Sequence, residues 1–271
     1  MTTRNDAVGF IKKTTDRVGF VVEIMNKYRH IIDGAKRVFV KPNIVSHELY
    51  PTTTHPDVLD TVLEALDGKD IIVGDGLAVD IFRTHITLVA HPLHHICEKK
   101  GVKVIDLHQT PSSNFKSPRG FSVNLSRTPF NFDLIISLPV LKSHKICTMT
   151  GALKNQFGFT TKADRIKMHS GIKNIHKAIA EINVICRPGI FIMDAVDILI
   201  NTNEVRHGGR PAHPGYMLAG TDPVALDTRG FDLLAGMDDN FWGKKPQDVK
   251  HLAFAAEYEI GRPDGHIEEM Q

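Results

Sequence analysis

The chain lacks the marks of several common protein classes. It has three cysteines among 271 residues, Cys97, Cys147 and Cys186, and no C-x-x-C pair. It therefore carries neither a disulfide framework nor a ferredoxin or zinc-ribbon signature, no iron–sulfur cluster is expected from it, and the cysteines read as reduced core thiols. Charge of one sign is not in excess: the formal net charge is +2, too close to zero for a surface built throughout to hold nucleic acid or an acidic membrane. No stretch approaches the roughly 20 apolar residues of a membrane span, and Met1-Thr2-Thr3-Arg4-Asn5-Asp6 leads into no apolar signal region. A cytoplasmic location with no membrane partner is the expectation. Neither G-x-x-x-x-G-K-[ST] nor G-x-G-x-x-G occurs, so the familiar nucleotide loops are excluded. There is no internal repeat and no low-complexity tract.

What the chain does have is an ordinary globular composition, 42% hydrophobic and 24% charged, patterned as short β-branched runs alternating with helical periods. Val38-Phe39-Val40, Ile71-Ile72-Val73, Val102-Lys103-Val104-Ile105, Leu134-Ile135-Ile136, Ile190-Phe191-Ile192-Met193 and Tyr216-Met217-Leu218-Ala219 read as six buried strands. Thr54-His55-Pro56-Asp57 predicts a capped helix whose apolar face is Val58, Leu59, Val62, Leu63 and Leu66. A second apolar stripe runs through Val89, Leu93, Ile96 and Cys97 to Gly101, and a third from Ile172 to Cys186, stopped by Pro188-Gly189. The fold class is α/β: a mostly parallel sheet with helices on both faces and an antiparallel edge strand or hairpin around 115–132. No linker divides the chain, so 1–271 reads as one domain with a weakly patterned extension after 238.

In open α/β sheets ligands bind beyond the carboxyl ends of the strands, so the residues that follow each apolar run come first. These are Lys41-Pro42-Asn43, Gly74-Asp75-Gly76, Leu138 through Lys142-Ser143-His144-Lys145, Asp194, and Gly220-Thr221-Asp222-Pro223. If the strand order is right, Lys41, Asn43, Asp75, Lys142, His144, Asp194 and Asp222 converge on one rim. Each also has a plainer reading. Asp75 between glycines suits a turn, and Asp222 before Pro223 suits a helix N-cap. Lys41 and Lys142 directly follow apolar strands and need either a counter-charge or a ligand.

Charge is segregated locally. From Lys142 to Lys177 eight lysines and arginines face one acid, Asp164, a net +7 that leaves −5 for the rest of the chain. Such a segment points to an anionic partner, although Lys173 and Lys177 fit the solvated face of a helix. Within it, Thr150-Gly151-Ala152-Leu153-Lys154-Asn155 places hydroxyl, glycine and amides where an anion can sit. The loop Arg206-His207-Gly208-Gly209-Arg210 is a second candidate anion cover or a surface loop. His91, His94 and His95 have metal-compatible spacing but no H-E-x-x-H, and an exposed polar helix face explains them better.

Lys41-Pro42-Asn43, Thr54-His55-Pro56, Gly74-Asp75-Gly76, Leu138 to His144, Thr150 to Asn155, Met193 to Val196 and Gly220 to Asp227 together resemble the family called domain of unknown function 362, over about 40 to 235. Some relatives carry ferredoxin-type cysteine clusters, absent here. The architecture is also distantly similar to the nickel-pincer lactate racemases, where a lysine holds a pyridinium cofactor and histidines move protons. No motif of theirs matches residue by residue, so none of their catalytic residues is carried over.

The leading functional expectation is an enzyme acting on a small anionic metabolite or cofactor, phosphorylated or carboxylate. Lys41, Asn43, Lys154, Asn155 and Arg210 would bind it, with Lys142 and His144 catalytic and His144 the general acid or base. Asp75, Asp194 and Asp222 are candidate ligands of a divalent metal such as Mg²⁺, or orient the lysines. The rival expectations are a non-catalytic or electron-transfer accessory docking an acidic partner protein, and, last, a nucleic-acid binder, for which Phe157 and Phe159 supply few stacking aromatics.

Overall fold

A computed structural model describes residues 8–81 and 84–271; the hexapeptide 1–6 considered above lies outside them. The strands in chain order are β1 (Gly9–Lys13), β2 (Arg37–Pro42), β3 (Asp70–Asp75), β4 (Lys103–Asp106), β5 (Ser112–Lys116), β6 (Ser122–Ser126), β7 (Leu134–Leu138), β8 (Val140–His144), β9 (Thr148–Thr150), β10 (Ile190–Ile200), β11 (Arg210–Ala212), β12 (Tyr216–Gly220) and β13 (Ile267–Glu269). The helices are α1 (Arg17–Lys27), α2 (Arg29–Asp33), α3 (Pro56–Ala65), α4 (Thr84–Ala90), α5 (Pro92–Lys99), α6 (Ala152–Asn155), α7 (Lys162–His169), α8 (Ile175–Cys186), α9 (Pro223–Ala235) and α10 (Lys250–Glu257).

All six apolar runs are strands of one sheet, in the order β13-β1-β12-β10-β7-β2-β3-β4. Strands β4, β3, β2, β7 and β10 are mutually parallel. They read as unbroken apolar runs because both faces are covered: Val38 and Val40 pack among α1, α3 and α5, while Phe39 turns to the core shared with α8 and α10. Burying side chains of this size contributes about 1.5–3 kcal/mol each. The sheet is antiparallel at β12, which returns from β10 without a crossover helix, and β1 pairs antiparallel with β12 in turn. The expected hairpin is β5–β6, a separate two-stranded sheet spanning 112–126.

The capping expectations shift at two helices. α3 is capped by His55, not Thr54. The Thr54 hydroxyl instead accepts from Asn43 N (2.8 Å) and donates to Leu138 O (2.7 Å), tying the ends of β2 and β7 together. The second stripe is two helices, α4 and α5, broken where buried His91 caps α5 and Pro92 takes its first position. His95 is exposed and faces Glu98, so the histidine trio forms no common site. α8 starts from Asn174, leaving Ile172 outside it and 76% exposed. The stretch after Asp238 is tied in by α10 against α8 and by β13 beside β1. Among the described residues no helix is long and apolar enough to cross a membrane.

One topological fact positions the site. From β2 the chain builds β3 and β4 on one side, then crosses back to place β7 and β10 on the other. The carboxyl ends of β2 and β7 therefore flank the switch point, where a crevice must open.

Candidate functional site

A cavity of about 520 Å³ occupies that crevice. Of the residues singled out in the sequence, Lys41, Asn43, Asp75, Lys142, His144, Lys154 and Asn155 line it. His207 of the Arg206–Arg210 loop, Arg165 and His169 of the basic segment, and Glu204, which no pattern marked, line it too. Arg210, Asp194 and Asp222 do not.

At the floor, Lys41 and Asp75 form a buried ion pair, Nζ to Oδ1 2.6 Å. Lys41 also donates to Pro42 O at 2.8 Å, and Asp75 accepts from the Ile44 and Gly76 amides, each at 2.7 Å. The plain reading of Lys41 thus holds, with Asp75 as its counter-charge, whereas Asp75 ends β3 and does not form the expected turn; the pair satisfies itself while facing the cavity. A Cβ on Gly158 would collide with Asp75 Oδ1 and lie 2.6 Å from Lys41 Nζ, so this wall needs glycine for close approach.

Three further cations have no such partner. Lys142, wholly buried, donates to Asn43 Oδ1 and to Thr52 O (2.6 Å) and meets no carboxylate among the described residues. Half-buried Lys154 has no hydrogen bond or ion pair among them and stands 5.7 Å from the Phe157 ring centroid. Arg165 donates to Thr160 Oγ1 (2.9 Å) and Leu77 O (2.6 Å), while its buried Nη2 has no partner. The buried Thr150 Oγ1 and Asn155 Oδ1 are also unpartnered. Burial, then the charge of Lys154, pulls Lys142 down to about 7, and burial pulls Arg165 down to about 10. The +7 segment therefore does not spread over one solvated face. Its innermost members turn into the cavity, while Lys167 and Lys173 pair with Asp164.

The Lys142 shift has a measurable sign. A folded amine with a pKa near 7 against an unfolded value near 10.4 binds fewer protons than the unfolded chain between those limits, so stability rises with pH there. Urea unfolding from pH 7 to 8.5 should show a gain of up to ~1.4 kcal/mol per pH unit that disappears in Lys142→Met. Equal slopes in the two proteins would refute the shift.

Two of the cavity histidines are held in opposite tautomers. His144 Nδ1 accepts from the amides of Ile146 and Cys147, both at 3.1 Å, so the proton sits on Nε2. Burial and Lys154 keep this imidazole well below its usual range. His144 thus presents a neutral N–H, and its geometry weighs against the general acid or base role expected of it: losing the Nε2 proton would leave an imidazolate, and gaining one would break two backbone hydrogen bonds. His169 Nδ1 donates to Arg165 O at 2.8 Å, which leaves the lone pair on Nε2. Burial lowers this pKa too, so a neutral His169 has an Nε2 that can accept a proton. Only its place in the basic segment hinted at it; the tautomer needed the α7 backbone.

At the mouth, Arg206 pairs with Glu204 (2.7 Å) and Asp80 (2.8 Å), and Glu48 accepts from the amides of Val205 and Arg206. Glycine lets the chain turn here, with Gly208 at φ +93°. In this loop His207 reaches the cavity, whereas the expected ligand Arg210 is exposed on β11, whose pairing with β10 points it elsewhere. Arg206 and Asp80 are partly exposed but Glu204 is buried, so Arg206→Ala should cost about 1–3 kcal/mol, the penalty for leaving a buried acceptor without its donor. It should also accelerate amide exchange across 201–209, read by hydrogen-exchange mass spectrometry.

The three aspartates considered as metal ligands do not come together. Asp194 is held by Arg17 (2.7 Å) and Tyr50 (2.9 Å), Asp222 caps α9 through the Val224 and Ala225 amides and accepts from Arg262 N, and Asp75 is paired as above. Each carboxylate is occupied by donors from a different part of the fold. Among the described residues no three His, Cys, Asp or Glu side chains are grouped to hold a metal ion.

A family model described as a domain of unknown function (DUF362) matches residues 38–232. A thylakoid-associated protein of Synechocystis is 25% identical over 228 residues, which is 79% of this chain and 68% of that protein. The lactate racemase apoprotein of Thermoanaerobacterium thermosaccharolyticum is similar in structure, with a TM-score of 0.51 and 12% identity over 85% of this chain. A protein of Thermotoga maritima follows at a TM-score of 0.45, 13% identity and 81% coverage. The chain spans 58% of the length of each of these two structures.

Proposed function

Because the chain belongs to the domain of unknown function (DUF362) family, its activity has to be read from its own cavity, and we propose that it is an enzyme acting on a small phosphorylated or carboxylate metabolite bound at the sheet switch point. One observation carries this reading: among the described residues Lys154 Nζ and Arg165 Nη2 have no hydrogen-bond or ion-pair partner where they meet a cavity of metabolite size, although Asp75 and Glu204 line the same cavity. Leaving such groups buried and unsatisfied is costly, and an anion's oxygens relieve the cost. Thr150 Oγ1 and Asn155 Oδ1 offer positions for ligand hydroxyls. His144 presents an N–H to a developing oxyanion, and His169 accepts a proton, so the pair suits acid–base chemistry beside the bound anion.

The same orientation favours a small ligand over an acidic protein partner, since the cations turned inward are out of reach of a flat partner surface. The test is calorimetric titration of the full chain with inorganic phosphate and, given the name of the similar structure, with lactate. The expected result is one site per chain and a stability that climbs with ligand, by ~2.7 kcal/mol at a hundredfold excess over Kd, seen as a higher melting temperature. Absence of binding by both anions, together with capture of an acidic protein that weakens steeply with salt, would move the assignment to docking.

A further inference from the structure

Building on that anion cavity, we propose that Lys142 is its amine nucleophile, forming an imine with the carbonyl carbon of an aldehyde or 2-oxo acid whose anionic group rests on Lys154 and Arg165. The hydrogen-bond count at Nζ carries the inference. Two acceptors surround it, Asn43 Oδ1 and Thr52 O, and no carboxylate pairs with it among the described residues. An ammonium has three N–H groups, so one would be stranded in a wholly buried position. A neutral amine has two, which matches the two acceptors, and its lone pair is left over.

The neighbouring lysines show the contrast. Lys41 is as buried, but the Asp75 carboxylate pairs with it, and it has no lone pair to give. Lys154 also lacks a carboxylate and burial lowers its pKa too, but it is only half-buried and no pair of acceptors orients its amine. Lys142 is the wholly buried amine that the cavity desolvates and whose two acceptors fix it in the neutral form, the established way of making a lysine nucleophilic. The titratable groups that bear on it are Lys154, which favours the neutral form, and Glu204, Asp75 and Glu48, which oppose it.

The step conserves atoms and electrons. The Nζ lone pair bonds to the carbonyl carbon and the π pair moves to the oxygen. His169 Nε2 relays one nitrogen proton to that oxygen, whose charge the His144 N–H stabilises, giving a carbinolamine. The nitrogen lone pair then forms the C=N bond as the C–O bond breaks, the second nitrogen proton follows the oxygen, and water leaves. Nothing is oxidised or reduced.

The test traps the imine with borohydride in the full-length protein, using glyoxylate as the carboxylate probe and glycolaldehyde phosphate as the phosphate probe. Peptide mapping by mass spectrometry then locates the adduct. The expected result is stoichiometric labelling of Lys142 with one probe or both, blocked by excess inorganic phosphate. Its rate should rise through a midpoint near pH 7, where surface lysines, with pKa values near 10.4, lag by orders of magnitude. Mapping the wild-type chain decides the matter without relying on the fold of a variant, and Lys142→Met should lose the label while still binding phosphate. An adduct on Lys154, or on surface lysines alone, overturns the assignment. So does phosphate binding with no adduct, which would leave the anion cavity standing. Absence of any anion binding overturns both.

Discussion

Replacing Asp75 by asparagine lowers the stability of the fold by about 3–5 kcal/mol, the usual consequence of removing one partner from a buried ion pair. The expectation follows from what surrounds the carboxylate: the Ile44 amide, the Gly76 amide and the Lys41 ammonium are all donors. An asparagine oxygen can accept from them, but its NH₂ must turn toward another donor, and Lys41 stays wholly buried with no counter-charge. Neighbours cannot yield, because Gly158 is packed against both members of the pair. Lys41→Met should cost less, since the remaining carboxylate keeps two backbone N–H bonds. The double variant Lys41→Met with Asp75→Leu should recover part of the loss, because apolar groups of similar volume can replace a buried pair at little cost. Urea unfolding of the four proteins ranks these losses. A change below ~1 kcal/mol in Asp75→Asn would mean that water reaches the pair.

Much of this architecture is legible in the chain because parallel strands covered on both faces leave continuous apolar runs, and six of them stand out. Val38-Phe39-Val40 declares β2 without reference to any partner. The strands that escape reading are those whose identity depends on partners far away. Gly9–Lys13 pairs with β12 more than 200 residues on, and β13 is three residues long with two of them exposed. The rim is legible for the same topological reason: whatever follows a parallel strand lies at one edge, which brings Lys41, Asp75, Lys142 and His144 together. Asp194 fails that rule because β10 runs on to Ile200, so the aspartate lies within the strand and takes Arg17 as its partner. Asp222 fails it because β12 is antiparallel and ends at the opposite edge. Arg165 and His169 are helical residues carried to the cavity by α7, and no local pattern marks a helix that points at a crevice.

Lys154→Met should raise the Kd for inorganic phosphate about 10- to 100-fold, as expected for losing a hydrogen bond to a charged group worth ~1.5–3 kcal/mol. The companion effect separates a binding role from a structural one. In the free protein Lys154 has no carboxylate partner, and burial and the Arg165 charge both disfavour its cationic form. Methionine, one atom shorter, fills most of the same space and removes that repulsion, so the variant should unfold at the same urea concentration as wild type or a higher one. Asp75→Asn shows the opposite pattern, losing stability first. If Lys154→Met instead loses stability and binding together, the lysine is holding the cavity in shape. A cation whose removal stabilises the free fold while weakening the complex is strained for its ligand, and α6 supports that strain through Asp227. Fully buried, its carboxylate accepts from the Ala152 and Leu153 amides and fixes the turn that presents Lys154. Replacing Asp227 should therefore weaken phosphate binding without any contact to the anion, whereas a phosphate site formed by surface lysines would not respond.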